Sequence, residues 1–198
     1  MMYYSDSQLI YAHWRHGDIL TFLQLSTGLN NVLVTENIAS TVDSMGFWRD
    51  TSAYMVVRFN ALVNVLTLGS GIYANTVFFA YTSFLGSFLF AKVLAKKLQA
   101  KTSVLLAVFL TPSVWYWTAG SHKESLSVAL VACILYSLLH LIHIKKFIAI
   151  ILALASFVLL FYTRFFIAAM LIPSLMAYYI YHMKRTWHPL LVFASVFI

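Results

Sequence analysis

Ile72-Tyr-Ala-Asn-Thr-Val-Phe-Phe-Ala-Tyr-Thr-Ser-Phe-Leu-Gly-Ser-Phe-Leu-Phe-Ala91 is an unbroken run of twenty residues with no acid or base in it. A helix of that length rises about 30 Å, the thickness of a bilayer's hydrocarbon core. Ala80, Ser83, Gly86 and Ser87 put small side chains along it, which lets a second helix approach closely. The stretch reads as a membrane span, and the rest of the chain agrees. Hydrophobic residues make up 62% of the 198 and charged residues only 10%, with a mean hydropathy of +0.83. Soluble domains are nearer a quarter charged, so too little polar surface is left to clothe a water-soluble fold.

Downstream of this run the basic residues fall in clusters between apolar stretches. They are Lys92, Lys96, Lys97 and Lys101, then Lys145 and Lys146, then Lys184 and Arg185. Clusters of this kind mark cytoplasmic loops, and the expectation here is a lysine-rich loop over 92–101. The net charge of +7 is therefore distributed for topology. A nucleic-acid face would gather it on one surface, and no nucleic-acid partner is expected. Thr102 to Thr118 then returns outward, with Pro112 near its end and Trp115, Tyr116 and Trp117 at interfacial depth. Glu124 to Ile144 crosses back. Phe147 to Tyr181 is interrupted by Arg164 and predicts two compact helices meeting there.

Upstream, residues 1–50 hold five acids against Arg15 and Arg49. That scarcity of Lys and Arg places the segment on the non-cytoplasmic side. Short helices are expected over Ser7–Leu25 and Asn31–Ser40, with turns at Gly28–Asn31 and Ser44–Gly46. No signal peptide is legible in this polar, aromatic stretch. Ser52 to Leu68 is only moderately apolar, and Arg58 at its centre costs about 2.5–3.5 kcal/mol on insertion scales. An interfacial or partly inserted helix is the expectation. Asn60, Asn64, Thr67 and Gly71 share one stripe, with Tyr54 and Arg58 on the far side. Pro189 to Ile198 opens an apolar run about half the length of a span, so a chain incomplete at its C-terminus is expected. The predicted fold is an all-α integral membrane bundle of about five to six membrane helices over 51–198, preceded by an extracytoplasmic helical segment over 1–50.

The chemistry-bearing residues cluster at the turn Thr111-Pro-Ser-Val-Trp-Tyr-Trp-Thr-Ala-Gly-Ser-His-Lys-Glu-Ser125. Ser121 and Glu124 have the spacing of a capping box, in which Ser121 caps the helix and Glu124 reaches back; catalysis by Glu124 is the minority reading. Lys123 sits in the first helical turn, where the macrodipole disfavours a cation by roughly 0.3–1 kcal/mol. Two explanations stand side by side: an anion bound at the helix N-terminus, or snorkelling to lipid headgroups. The same pair of explanations covers Arg164, predicted at the same level. Asp6 and Asp18 are candidate general bases from the outward segment, set against solvated or capping carboxylates. Cys133 is read as packing. His140 and His143 are read as interfacial, with no metal site expected.

Phe109-Leu-Thr-Pro-Ser-Val-Trp-Tyr-Trp-Thr-Ala-Gly-Ser-His-Lys-Glu-Ser-Leu126 resembles the Pro-Ser…Trp…Ser-Gly…Lys-Glu signature of polytopic bacterial envelope proteins related to the GT-C glycosyltransferases. These include family 39-like sugar transferases and oligosaccharide-polymerase-like proteins. Val57-Arg-Phe-Asn-Ala-Leu-Val-Asn64 with Phe84-Leu-Gly86, and Tyr162-Thr-Arg-Phe165, extend the resemblance over most of 48–182. The sequence departs from the pattern at Phe165, where the relatives carry Pro, and in lacking a span before the first loop. What the resemblance implies is sugar transfer from a polyprenyl-phosphate donor on the outer face of a bacterial plasma membrane. Asp6 would be the loop carboxylate that deprotonates the acceptor, and Lys123 and Arg164 would clamp the lipid phosphate. The implied partners are membrane lipid, a polyprenyl-phosphate-linked glycan and other membrane subunits. A divalent metal is compatible with this chemistry, and no cofactor is assigned. The alternatives from another class are a non-catalytic membrane subunit, a lipid-linked-glycan binder or a transporter.

Overall fold

In the computed structural model the described residues are 2–27, 36–112, 114, 116, 119–140 and 146–183. Among them the chain is all helical, with no strand. The predicted turn at 28–31, the first half of the 31–40 helix, Trp115, Trp117, His143, Lys145, Lys184, Arg185 and the run from Pro189 lie outside the described residues.

The helices form two layers. The upper layer is a cap built from α1 (Met2–Arg15), α2 (Ile19–Thr27), α3 (Glu36–Asp43) and α4 (Thr51–Leu66). The single helix expected from Ser7 to Leu25 is two, broken at Gly17, whose φ of +81° is open to glycine without steric cost. Asp18 restarts the chain, accepting a hydrogen bond from the Thr21 amide at 3.3 Å. The cap has its own apolar core, in which Ile10, Phe22, Leu25, Ile38 and Met45 close over Tyr54, Val57 and Ala61 of α4. The Tyr54 hydroxyl is satisfied there, donating to the Leu25 carbonyl at 2.9 Å.

α4 is thus a central element, packed between the cap core and the bundle. One side faces the cap core and the other carries Asn60 and Asn64 into a buried polar knot. Asn75, at the start of the next helix, donates to both their side-chain oxygens at 2.9 Å. Asn64 in turn donates to the Ser7 hydroxyl at 3.1 Å. Buried amides are costly when unpaired, so these bonds fix α1, α4 and the following helix in one register. The chain reverses between α4 and that helix through Leu68, Gly69 and Gly71, all at positive φ. A Cβ at Gly69 would lie 2.8 Å from the Tyr11 ring, so a side chain there would be strained by its φ and would displace that ring.

The lower layer is an apolar bundle of α5 (Ile72–Leu98), α6 (Lys101–Phe109), α7 (Lys123–His140), α8 (Lys146–Thr163) and α9 (Phe165–Met183). At 27 residues α5 is long and apolar enough, by length and composition, to cross a membrane. It runs through Lys92, Lys96 and Lys97 to Leu98, so the loop expected over 92–101 is largely helix. Lysine is a good helix former, and these three side chains are exposed and need no partner from the core. The helix ends only where Gln99 turns left-handed, at φ +54°. α6 is nine residues, and the outward crossing expected of 102–118 includes 113, 115, 117 and 118, which lie outside the described residues.

α5 and α7 run parallel and pack at their small residues. Phe79 meets Leu126, and one helical stretch below, a Cβ on Gly86 would come within 2.5 Å of the Ala129 backbone. α7 and α8 run antiparallel, and Ile134 of α7, Leu160 of α8 and Ala168 of α9 form the centre of a shared cluster. α8 and α9 meet at Arg164, as the interrupted apolar run predicts. Much of the remaining surface is apolar: Phe147, Ile148, Leu154 and Val158 on α8, with Phe166, Met170 and Met176 on α9, are exposed.

Candidate functional site

Lys123, Glu124 and Arg164 of the sequence reading lie where the cap meets the bundle. Asp50 begins the construction. It is the N-cap of α4, its Oδ1 accepting from the amides of Ser52 at 3.0 Å and Ala53 at 3.1 Å and from the Ser52 hydroxyl at 2.9 Å. That motif is readable locally, as an Asp immediately before an apolar helix. Its second oxygen, Oδ2, lies 3.5 Å from Lys123 Nζ. Lys123 donates more tightly to Ser52 Oγ, at 2.7 Å. The cation in the first turn of α7 is therefore held by the N-terminus of α4 from across the molecule.

The neighbouring residue continues the network. Glu124 Oε1 pairs with Arg164 Nη2 at the α8–α9 junction. Its carboxylate thus bridges helices, whereas the capping-box reading had it return to its own backbone. Ser125 anchors the turn, its hydroxyl donating to the Gly120 carbonyl at 2.5 Å. Ser121 is half-buried beside it. Lys123 in α7 and Arg164 between α8 and α9 are thus brought to one corner, linked through Glu124, next to Lys123 in the chain.

α1 completes the corner. Burial first, and then the Asp50 carboxylate, push the Tyr3 phenol above its ordinary value, while Arg164 pulls the other way. Tyr3 therefore feels both ion pairs at once. Asp6 lies one turn along the same helix, but it is 5% exposed, and its Oδ2 accepts from the Phe47 amide at 2.9 Å. That bond ties the 44–50 turn to α1. Asp18, the other candidate base, is far along the cap beside His13, at 3.5 Å. Its carboxyl is held low chiefly by hydrogen bonds from Thr21, and it does not join the corner.

For Asp50 the largest single influence, partial burial, raises the carboxyl. The Ala53 amide, the Ser52 hydroxyl and the Lys123 ammonium together outweigh it, so the group titrates below its ordinary value. The corner thus sets two carboxylates against two basic side chains. Among the described residues no three His, Cys, Asp or Glu side chains gather as a metal site would need. Asp50, Ser52 and Tyr3 are the members that sequence reasoning did not single out. The capping pattern at Asp50 was visible, but its reach to a residue 73 positions away has no local signature.

The opposite end of the bundle carries lysines. Lys97 Nζ lies 2.7 Å from the Tyr178 hydroxyl, and Tyr178 is about 20 Å along α9 from Arg164 at 1.5 Å per residue. The acidic-and-basic corner and the lysine-rich end therefore sit at opposite poles of the apolar layer. Comparison of the chain with family models, with curated proteins and with solved structures finds no match.

Proposed function

We propose that the chain is a multi-pass protein of a bacterial plasma membrane whose outward corner handles a polyprenyl-phosphate-linked glycan, in the manner of GT-C glycosyltransferases. One observation carries the reading: a lysine in the first turn of α7 and an arginine at the α8–α9 junction are ion-paired, to Asp50 and to Glu124, at the junction where the polar cap meets the apolar bundle. That junction is the level at which a lipid phosphate stands when its chain lies in the hydrocarbon. Among the described residues α5 alone is both long and apolar enough to cross a membrane; α8 and α9, at 18 and 19 residues, are near spanning length, and their exposed apolar side chains suit lipid contact. The lysine-rich pole then faces the cytoplasm. The resemblance supplies the chemistry, with Asp6 as the base and Lys123 and Arg164 as the phosphate clamp.

In this reading a phosphate arriving at the corner takes Lys123 from Asp50, the longer of its two contacts, while Ser52 continues to hold the ammonium in place. Arg164 turns from Glu124 in the same way, with its planar fork suited to two phosphate oxygens. Asp6 needs the acceptor hydroxyl to enter beneath the cap, because its carboxylate is covered.

A second reading has its own support. Both cations already have carboxylate partners, and Asp6 is engaged by a backbone amide. A corner so balanced also serves a non-catalytic subunit, in which the ion pairs simply lock the cap onto the bundle. Purified protein in nanodiscs, given polyprenyl-phosphate sugar and a glycan acceptor, separates the two. The transferase reading predicts turnover that falls at least 100-fold in Asp6→Asn and at least 10-fold in Lys123→Ala. Turnover indifferent to both changes defeats the mechanism, and glycan binding without turnover establishes the second reading.

A further inference from the structure

α5 carries its first charge where its uncharged run stops. Ile72 to Ala91 is twenty residues without an acid or base, and Lys92, Lys96 and Lys97 follow within the same helix. At 1.5 Å per residue Lys92 stands about 30 Å from the start of α5, one hydrocarbon thickness away. All three side chains are exposed. The backbone brings two more lysines to that end. Lys101 opens α6 just past Gln99, and Lys146 opens α8, which the parallel run of α5 and α7 and the antiparallel run of α7 and α8 place at the same pole. α9 joins them there: Lys97 Nζ lies 2.7 Å from the Tyr178 hydroxyl and 5.2 Å from the centroid of its ring.

No carboxylate of the chain balances this pole. Of the six acids, five precede residue 51 and the sixth is Glu124, so all belong to the cap or to the corner. Among the described residues the ion pairs engage Asp18, Asp50 and Glu124, and none involves these lysines. The helix dipole accounts for cations in the last turn of α5, where Lys96 and Lys97 sit. It does not account for Lys92, a turn earlier, whose charge repels that of Lys96 at i, i+4. Water suits the lysines but not the side chains beside them at this end: Leu98, Phe147 and Ile148 are 63%, 75% and 59% exposed. A soluble phosphate or a nucleic acid would satisfy the charges alone. An anion carrying hydrocarbon satisfies the charges and the apolar surface together.

We propose that the lysine pole is a binding surface for the anionic headgroups of phospholipids in the adjoining leaflet. Lys92, Lys96 and Lys97 meet the phosphodiesters, while Leu98, Phe147 and Ile148 lie among the first carbons of the acyl chains. Tyr178 ties Lys97 to α9, so the charges of α5 and the apolar surface of the bundle present one rim. The proposal rests on the membrane reading of the bundle and is independent of sugar transfer and of the Lys123–Arg164 corner.

The test uses the full chain in dodecyl maltoside, titrated with dioleoyl phosphatidylglycerol, with dioleoyl phosphatidylcholine as the zwitterionic lipid of the same chains, with inorganic phosphate and with a single-stranded oligonucleotide. The melting temperature of the wild type is expected to rise with phosphatidylglycerol and to stay flat with the other three. Salt should weaken the response, because the contacts are exposed charges. The triple variant Lys92→Gln, Lys96→Gln, Lys97→Gln is expected to weaken the phosphatidylglycerol midpoint at least 10-fold. The triple variant Lys92→Arg, Lys96→Arg, Lys97→Arg should keep it, and so should Tyr178→Phe, which leaves every lysine charge in place. A midpoint unmoved by the glutamine changes overturns the proposal and assigns the response to other cations. An equal response to phosphatidylcholine shows an apolar effect alone and also overturns it. A full response to inorganic phosphate or to the oligonucleotide overturns the lipid assignment. Washing membranes with alkaline carbonate reads the membrane placement separately. Protein kept in the pellet but indifferent to phosphatidylglycerol defeats this proposal and leaves the membrane reading standing, whereas protein released by carbonate defeats both.

Discussion

Asp50 does two jobs with one carboxylate, capping α4 through Oδ1 and pairing with Lys123 through Oδ2. Substitutions can separate them. Asparagine is as good an N-cap as aspartate, so Asp50→Asn should cost only the ion pair, about 1 kcal/mol or less for a pair this open to solvent. Asp50→Ala loses the cap as well and should cost a further ~1 kcal/mol. Chemical denaturation in mild detergent reads both. The pH dependence has a definite sign. The folded carboxyl titrates below its ordinary value, so its contribution is present above the unfolded value of about 3.9. It is lost as pH falls through the depressed folded value. Acid titration of the melting temperature should therefore be shallower in Asp50→Asn than in wild type below about pH 4, and coincident curves would show that the carboxylate has no part in acid stability. The sequence displayed Lys123 as a cation in the wrong place on its helix. What it could not display was the partner, because Asp50 and Ser52 approach only after α4 has been drawn into the cap core.

At the scale of elements, the close crossing of α5 and α7 is the most exacting contact. Gly86 leaves no room for a Cβ against the Ala129 backbone. Alanine raises helix propensity by about 1 kcal/mol over glycine, yet overpacking a tight crossing costs about 1–3 kcal/mol. Gly86→Ala should lower stability by up to ~2 kcal/mol on those figures, measured by unfolding in detergent. A stabilised variant would mean that the helices stand further apart than described. The small residues that allow this crossing were legible, since Ser83, Gly86 and Ser87 fall on one side of the run. α4 was harder to read. Arg58 at its centre argued against a lone lipid-facing span, and the bonds that hold the helix join Asn60 and Asn64 to Asn75 and Ser7, residues on three different helices. A periodic pattern locates a polar stripe but not the stripe it pairs with. The length of α5 escaped for a related reason, because the lysines that suggested a loop are compatible with helix once their side chains point outward.

For the whole molecule, the arrangement makes one demand: a cap on one side of an apolar layer, a lysine-rich pole on the other, and the ion-paired corner at the first boundary. Composition already announced the apolar layer. Which residues meet at its boundary depended on the antiparallel run of α4 against α5 and of α7 against α8, which no local pattern encodes. The demand is tested by sidedness in intact cells. In a Cys133→Ala background, Ser44→Cys reports the cap and Lys97→Cys reports the lysine pole; Ser44 and Lys97 are both exposed. With a membrane-impermeant maleimide, Ser44→Cys should label without permeabilisation and Lys97→Cys only after it. Labelling of both from the same side, or the reverse order, would contradict the placement of the corner at the outer face.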